Sequence, residues 1–101
     1  MRGKINKAEL LVRAILKKDL PRVRSIIDMG FNVNKEIAWK QSDVFTALGS
    51  AISNDALEIA KYLIEVGADV DQGPGKWTPL MTACGSGRLE FVDLLLQAAR
   101  T

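Results

Sequence analysis

The chain has 101 residues, of which 48% are hydrophobic and 26% are charged, with one cysteine and no histidine. These values predict a single folded domain rather than a disordered chain, and no apolar run approaches the ~18 residues that span a bilayer. Because histidine is the commonest general base and zinc ligand, its absence argues against an enzyme or a zinc site. The sequence also has no phosphate loop, paired cysteines or calcium loop, so we predict no catalytic residue, cofactor or bound metal.

Charge is distributed unevenly, although the net charge is only +2. Residues 1–24 carry eight basic residues against Glu9 and Asp19, a net charge of +6, and residues 25–101 carry six basic and ten acidic residues, a net charge of −4. A basic end of this kind could contact nucleic acid or an acidic ligand. Nucleic-acid surfaces commonly include aromatic residues that stack on bases, and the first 30 residues contain none. A solvated basic surface is therefore the favoured interpretation.

Three similar units follow one another along the chain. The first and second units match at an offset of 37 residues, and the second and third match at an offset of 32. The recurring apolar positions are Leu11, Ala14, Ile15, Leu20, Ile26 and Ile27, then Leu48, Ala51, Ile52, Leu57, Leu63 and Ile64, and finally Leu80, Ala83, Leu89 and Leu95. Self-similarity at this period is the sequence signature of a repeat architecture.

Each unit predicts two short helices. Apolar residues within 57–64 recur on a single helical face. Gly30 and Gly67 stand where a glycine can adopt the left-handed conformation that ends a helix, and Thr78 and Pro79 predict the start of another helix. Helices this short cannot bury their apolar faces as an isolated pair, so we expect the three units to stack on one another.

Several motifs carry a family resemblance. They are Thr78-Pro79-Leu80, Ala83-Cys84, Gly87, Leu89-Glu90-Phe91-Val92, Leu94-Leu95-Leu96 and the preceding Gly67-Ala68-Asp69-Val70-Asp71. In this order and spacing they resemble the ankyrin repeat. The resemblance implies an all-α solenoid of three helix-turn-helix units joined by hairpin-like loops. It also implies a single domain over 1–101, with repeats at about 7–34, 46–71 and 76–101 and a long loop at 35–45.

The two ends of the predicted solenoid differ from a regular repeat. The first unit has Glu9-Leu10-Leu11 in place of the family motif, which is typical of a capping repeat with a polar outer face. No polar capping helix follows the third unit, so we expect a fragment of a longer ankyrin-repeat protein or self-association through the uncapped C-terminal repeat. Cys84 lies in register with Ile15 and Ile52, and we expect it to be a small buried residue.

The resemblance further implies a protein–protein interaction module, a scaffold or adaptor that binds a partner polypeptide through its concave helix surface and its loop fingers. Candidate partner-binding residues are Arg13, Lys17, Ile37, Trp39, Lys40, Ser50, Asn54, Lys76, Thr82 and Ser86. In the family, positions such as Arg13, Ser50 and Thr82 line the concave groove. The alternatives are a plain solvated surface for this groove and packing of Trp39 against the stack.

Two other functions are compatible with the sequence. The first is nucleic-acid or acidic-ligand binding through the basic region 1–24, and the second is a structural spacer without a partner of its own. The unpaired cysteine and the lack of a signal peptide predict a cytoplasmic location, with the nucleus as the alternative. The sequence names no partner.

Overall fold

The computed structural model describes residues 7–39, 43–71 and 78–100, except for the side chains of residues 38, 39 and 43–45. The elements in chain order are α1 (Lys7–Leu16), α2 (Leu20–Asp28), β1 (Ile37–Trp39), β2 (Asp43–Phe45), α3 (Ala47–Ser53), α4 (Leu57–Glu65), α5 (Pro79–Ser86) and α6 (Leu89–Arg100). Consecutive helices pair as α1 with α2, α3 with α4, and α5 with α6. The three predicted helix pairs are therefore present.

Side chains at the helix starts explain why the helices begin where they do. The Thr46 hydroxyl accepts a hydrogen bond from the Gly49 backbone N–H at 3.2 Å at the start of α3. Thr78 makes the same contact with the Met81 N–H at 3.2 Å, and Pro79 follows as the first residue of α5. Each cap satisfies one of the backbone donors that a helix start leaves unpaired. The predicted helix start at Thr78 is confirmed.

The turns between paired helices, and those that follow each of the first two pairs, contain residues with positive φ. Lys18, Asp55 and Gly87 occupy equivalent places in the three repeats, and their φ values are 57°, 59° and 68°. Gly30 and Gly67, which follow α2 and α4, also have positive φ values of 98° and 108°. The predicted glycine-ended helices are confirmed. At the first two inter-helix turns the chain accepts a lysine and an aspartate in a conformation that is easy only for glycine.

Two layers of helices stack along the solenoid. Contacts join α1 to α3 and α3 to α5 in one layer, which we call the inner layer, and α2 to α4 and α4 to α6 in the other, the outer layer. The core between them includes Leu11, Ile15, Leu48, Ile52, Ile59, Leu63 and Phe91, all essentially inaccessible to solvent. Alanines such as Ala51 and Ala83, also fully buried, let neighbouring inner helices approach closely.

The long loop between the first and second repeats folds into a short antiparallel ribbon. Ile37 pairs with Phe45, Ala38 with Val44, and Trp39 with Asp43. Ile37 is only 3% exposed and belongs to the core. The side chain of Ile37 therefore lies in the apolar core and is not available at the surface for the predicted contact with a partner.

Cys84 is exposed, so the prediction that it is buried is wrong. The equivalent residues of the first and second repeats, Ile15 and Ile52, are fully buried. Each of those two residues is covered by the helices of the next repeat, whereas no described residue covers the far side of α5. Position within the repeat sets the residue type, but burial at that position requires a neighbouring unit.

Candidate partner-binding surface

The inner layer aligns three predicted site residues at the ends of successive helices. Lys17 follows α1, Asn54 follows α3, and Ser86 ends α5. Lys17 and Ser86 are exposed and Asn54 is half-buried. Stacking of α1 on α3 and of α3 on α5 puts these residues in one row. We call Lys17, Asn54 and Ser86 the inner row.

A second predicted column, one helical turn earlier, is less accessible. Arg13 is exposed, Thr82 is half-buried, and Ser50 is only 7% exposed. The Asn54 side-chain amide donates to the Ser50 carbonyl oxygen at 2.8 Å and lies 3.5 Å from the Ser50 hydroxyl. The Thr82 hydroxyl donates to the Thr78 carbonyl oxygen at 3.4 Å. The structure thus places Ser50 under Asn54, and its hydroxyl is not a surface group.

Charge on the inner layer is concentrated at the first repeat. Arg13 forms an ion pair with Glu9, one helical turn earlier, with 2.7 Å between the guanidinium and the carboxylate. Both side chains are well exposed, so this pair contributes little to stability and can open for a partner. Lys17 forms no ion pair with any described residue. One end of the inner row is therefore cationic, and the other end, at Ser86, is neutral.

Three predicted site residues fall at the limits of what the structure describes. The backbone of Trp39 lies in β1, but its side chain is outside the described part. Lys40 and Lys76 lie outside the described residues altogether. The alternatives for Trp39, contact with a partner or packing on the stack, stay predictions.

A contact that the sequence analysis missed joins the loops of two repeats. The Asn34 side-chain oxygen accepts from the Asp69 backbone N–H at 2.7 Å, and its amide donates to the Gly67 carbonyl oxygen at 3.1 Å. We call these two hydrogen bonds the Asn34 clasp. A signal was present: Asn32 and Asn34 align with Asp69 and Asp71, and both pairs make the same local turn, at 2.9 and 2.8 Å.

Polar contacts elsewhere also join successive repeats. The Arg24 guanidinium lies 5.6 Å from the centre of the Tyr62 ring, within the range of a cation–π contact. Partial burial raises the pKa of the Tyr62 phenol, and the nearby Asp28 carboxylate raises it further, while Arg24 acts in the opposite direction. The phenol therefore stays protonated at neutral pH. Arg88 pairs with Asp55 at 3.2 Å between the third and second repeats.

The described residues offer no geometry for metal chemistry. Within 7–39, 43–71 and 78–100, no three carboxylate or thiol groups are grouped closely enough to hold an ion. In the same part of the chain, no helix has the length and apolar character needed to span a membrane.

Comparison with known proteins agrees with the architecture. A family model for ankyrin repeats, in three copies, matches residues 7–101. Palmitoyltransferase Hip14 of Drosophila melanogaster is 34% identical over 90 residues, which are 87% of this chain and only 14% of that protein. The crystal structure of the human ASB11 ankyrin repeat domain matches with a TM-score of 0.77 and 24% identity, over 87% of this chain and 38% of that chain.

A stack of helix pairs with capped inner helices and hydrogen-bonded loops defines a repeat solenoid. The chain belongs to the ankyrin repeat family and contains three of its repeats. The predicted family and fold class are confirmed. Ankyrin repeats are in general non-catalytic modules that bind other proteins.

Proposed function

We propose that this chain is a scaffold or adaptor module that holds a partner polypeptide along the inner row and the long loop at 35–45. The observation that carries the proposal is the alignment of Lys17, Asn54 and Ser86 on one face of a stack held together by a buried core. Polar groups that a scaffold already holds in place can bind an extended polypeptide without the entropy cost of ordering those groups first. We further propose a cytoplasmic location and no catalytic activity.

The uneven charge along the inner row predicts how the proposed partner is oriented on the surface. Lys17 and Arg13 would meet acidic groups at the first repeat, and the Arg13–Glu9 pair would exchange its intramolecular partner for one on the bound polypeptide. The hydroxyl of Ser86 and the amide of Asn54 would meet uncharged polar groups or backbone further along. The proposed partner segment is therefore acidic at one end and polar at the other.

The proposal is tested by affinity capture from nuclease-treated lysate followed by titration of each captured protein. The perturbed variant is Arg13→Ala with Lys17→Ala, and the matched control is Arg22→Ala with Lys61→Ala, which removes two exposed charges from the outer layer. We expect the first variant to weaken binding ~10-fold and the control to bind like the wild type. Equal binding by all three proteins contradicts the proposal.

Nucleic-acid or acidic-ligand binding through residues 1–24 is the competing function. Two of the basic groups there are already paired, Arg13 with Glu9 and Arg22 with Asp19 at 3.5 Å, and Arg24 lies over the Tyr62 ring. A phosphate, like an acidic polypeptide, would have to displace these exposed intramolecular contacts. Binding that falls steeply with salt and also weakens in the Arg22→Ala/Lys61→Ala control would favour this alternative over the inner row.

A further inference from the structure

We propose that the partner segment carries a large apolar side chain beside its carboxylates, and that this side chain packs on Leu16 between Arg13 and Lys17. The inference rests on the proposed function, because it names the chemistry of the polypeptide that the inner row would hold. The observation behind it is an exposed leucine next to the inner row. Leu16 is 50% exposed, whereas the other apolar residues of α1 are buried or half-buried.

The exposure of Leu16 belongs to its position within the repeat. Ser53 and Gly85 are the aligned residues of the second and third repeats, and both are exposed. Helix α3 packs against α1 on one side and against α5 on the other, yet Ser53 stays uncovered. Contact between repeats therefore does not explain a leucine here. Serine and glycine at the aligned positions also show that the fold needs no apolar residue at this place.

Leu16 lies between two cationic side chains on one face of α1. The Lys17 backbone N–H donates to the Arg13 carbonyl oxygen at 3.1 Å, so the last turn stays helical up to Lys17. Residues three and four positions apart on a helix are neighbours on its surface, which puts both Leu16 and Lys17 next to Arg13. We call Arg13, Leu16 and Lys17 the Leu16 site. It is an apolar group flanked by positive charge.

The charges of the Leu16 site are available to a partner. Lys17 forms no ion pair with any described residue, and the pair between Arg13 and Glu9 is exposed on both sides. An exposed pair of this kind contributes little, so a carboxylate of the partner can replace Glu9. An apolar side chain that covers Leu16 also excludes water from the two cations beside it. Their attraction to the partner's carboxylates is then stronger than it would be in water.

The rest of the inner layer offers no second site of this kind. The aligned exposed positions of the other two repeats carry Ser53, Asn54, Gly85 and Ser86, which supply neither a charge nor a large apolar side chain. The apolar and acidic groups of the partner are therefore both expected at the first repeat. The remainder of the segment would cross α3 and α5 with small or polar side chains.

The test begins with a display selection of random peptides on the immobilised wild-type chain. Peptides of about ten residues are long enough, because three packed helices at ~8–10 Å intervals span five or six extended residues of ~3.3 Å each. We expect the enriched peptides to share a large apolar residue with an acidic residue beside it. Versions with amides in place of the carboxylates should bind ~10-fold more weakly and should lose the salt dependence of binding.

Fluorescence anisotropy with the labelled selected peptides then measures the contribution of Leu16. Leu16→Ser introduces the residue of the second repeat and should weaken binding roughly 5- to 10-fold, the effect of covering half a leucine side chain. Met29→Ser is the matched control, because Met29 is 56% exposed and follows α2 in the outer layer. The control should bind like the wild type. Both variants should keep the circular dichroism spectrum of the wild type, since each changes an exposed side chain.

A double variant moves the apolar side chain away from the charges. Leu16→Ser combined with Ser53→Leu places the leucine on α3, one helix further along the inner layer. From the same helix spacing and peptide rise, this shift corresponds to about three residues of an extended segment. The double variant should therefore select peptides whose apolar residue lies about three positions further from the acidic one.

The outcomes separate this inference from the proposed function. Selected peptides that lack an apolar residue and bind Leu16→Ser like the wild type overturn it, and so do peptides enriched in apolar residues without acidic ones. In either case, loss of binding in Gly85→Trp leaves the proposed function standing. A Cβ at Gly85 meets no atom within 4 Å, so this change fills the surface over α5 without a clash at the Cβ. Peptides that bind every inner-layer variant equally, or a selection that enriches none, overturn both proposals.

Discussion

Removal of the Asn34 clasp measures how much one side chain contributes to holding two repeats together. Asn34→Ala deletes both hydrogen bonds to the second repeat, at 2.7 and 3.1 Å, without touching the apolar core. A hydrogen bond contributes a net ~0.5–1.5 kcal/mol to folding. Both bonds lie at the surface, where water can replace them, so we expect the lower half of the summed range, about 1–2 kcal/mol.

The assay is urea unfolding followed by far-ultraviolet circular dichroism, with hydrogen exchange at the Asp69 amide as the local readout. Asn34→Ala should lower the midpoint at an unchanged slope, because the surface exposed on unfolding is nearly the same. The Asp69 amide should exchange faster, because it loses its acceptor. Asn32→Ala is the matched control, since the Asn32 side chain accepts the local bond from the Asn34 N–H at 2.9 Å and, among the described residues, makes none to the second repeat. Asn32→Ala should lower the urea midpoint less than Asn34→Ala does.

Asn34→Asp separates the two bonds of the clasp. A carboxylate still accepts from the Asp69 N–H, but it faces the Gly67 carbonyl oxygen with no proton to donate. The variant should be destabilised at pH 7. The Gly67 carbonyl oxygen disfavours the charged form, so the pKa of the new carboxyl group should be higher in the folded state than its ordinary value of ~4, and the penalty should shrink as the pH falls through that folded-state pKa. An Asn34→Ala variant as stable as wild type, with unchanged exchange at Asp69, would refute the reasoning.

Three further predictions concern packing, turns and caps. Ile52→Ala should lower the free energy of unfolding by about 2–5 kcal/mol in urea because the side chain is fully buried. Cys84→Ala, at the aligned position, should lower it by under ~0.5 kcal/mol because that residue is exposed. Equal costs would show that Cys84 is packed as tightly as Ile52. Lys18→Gly should raise the free energy of unfolding by about 0.5–1 kcal/mol because glycine adopts a φ of 57° without strain. Lys17→Gly is the control and should lower it; if Lys18→Gly lowers it as well, the turn is unstrained. Thr46→Ala should lower the free energy of unfolding by ~1 kcal/mol because it removes the cap of α3. Thr46→Ser keeps a hydroxyl at this position and should stay close to wild type in thermal unfolding; equal destabilisation by both variants would contradict the role of the cap.

The sequence determined the repeat architecture because the physics of each unit is local. Apolar periodicity defines which helix face must be covered, and a helix this short finds cover only in a neighbouring unit. The start at Thr78 and the end at Gly67 follow from backbone groups within a few residues. These features depend on residues close together in the chain, so they were readable without coordinates.

Only the tertiary structure decided which of the candidate residues reach the surface. Ile37 and Cys84 exchanged the environments expected for them: the side chain of Ile37 is buried in the stack, and that of Cys84 is exposed among the described residues. Asn34 binds Gly67 and Asp69, more than 30 residues away, and no local pattern specifies that register. Exposure and long-range hydrogen bonding depend on which unit lies next to which, a property of the assembled stack that no single repeat encodes.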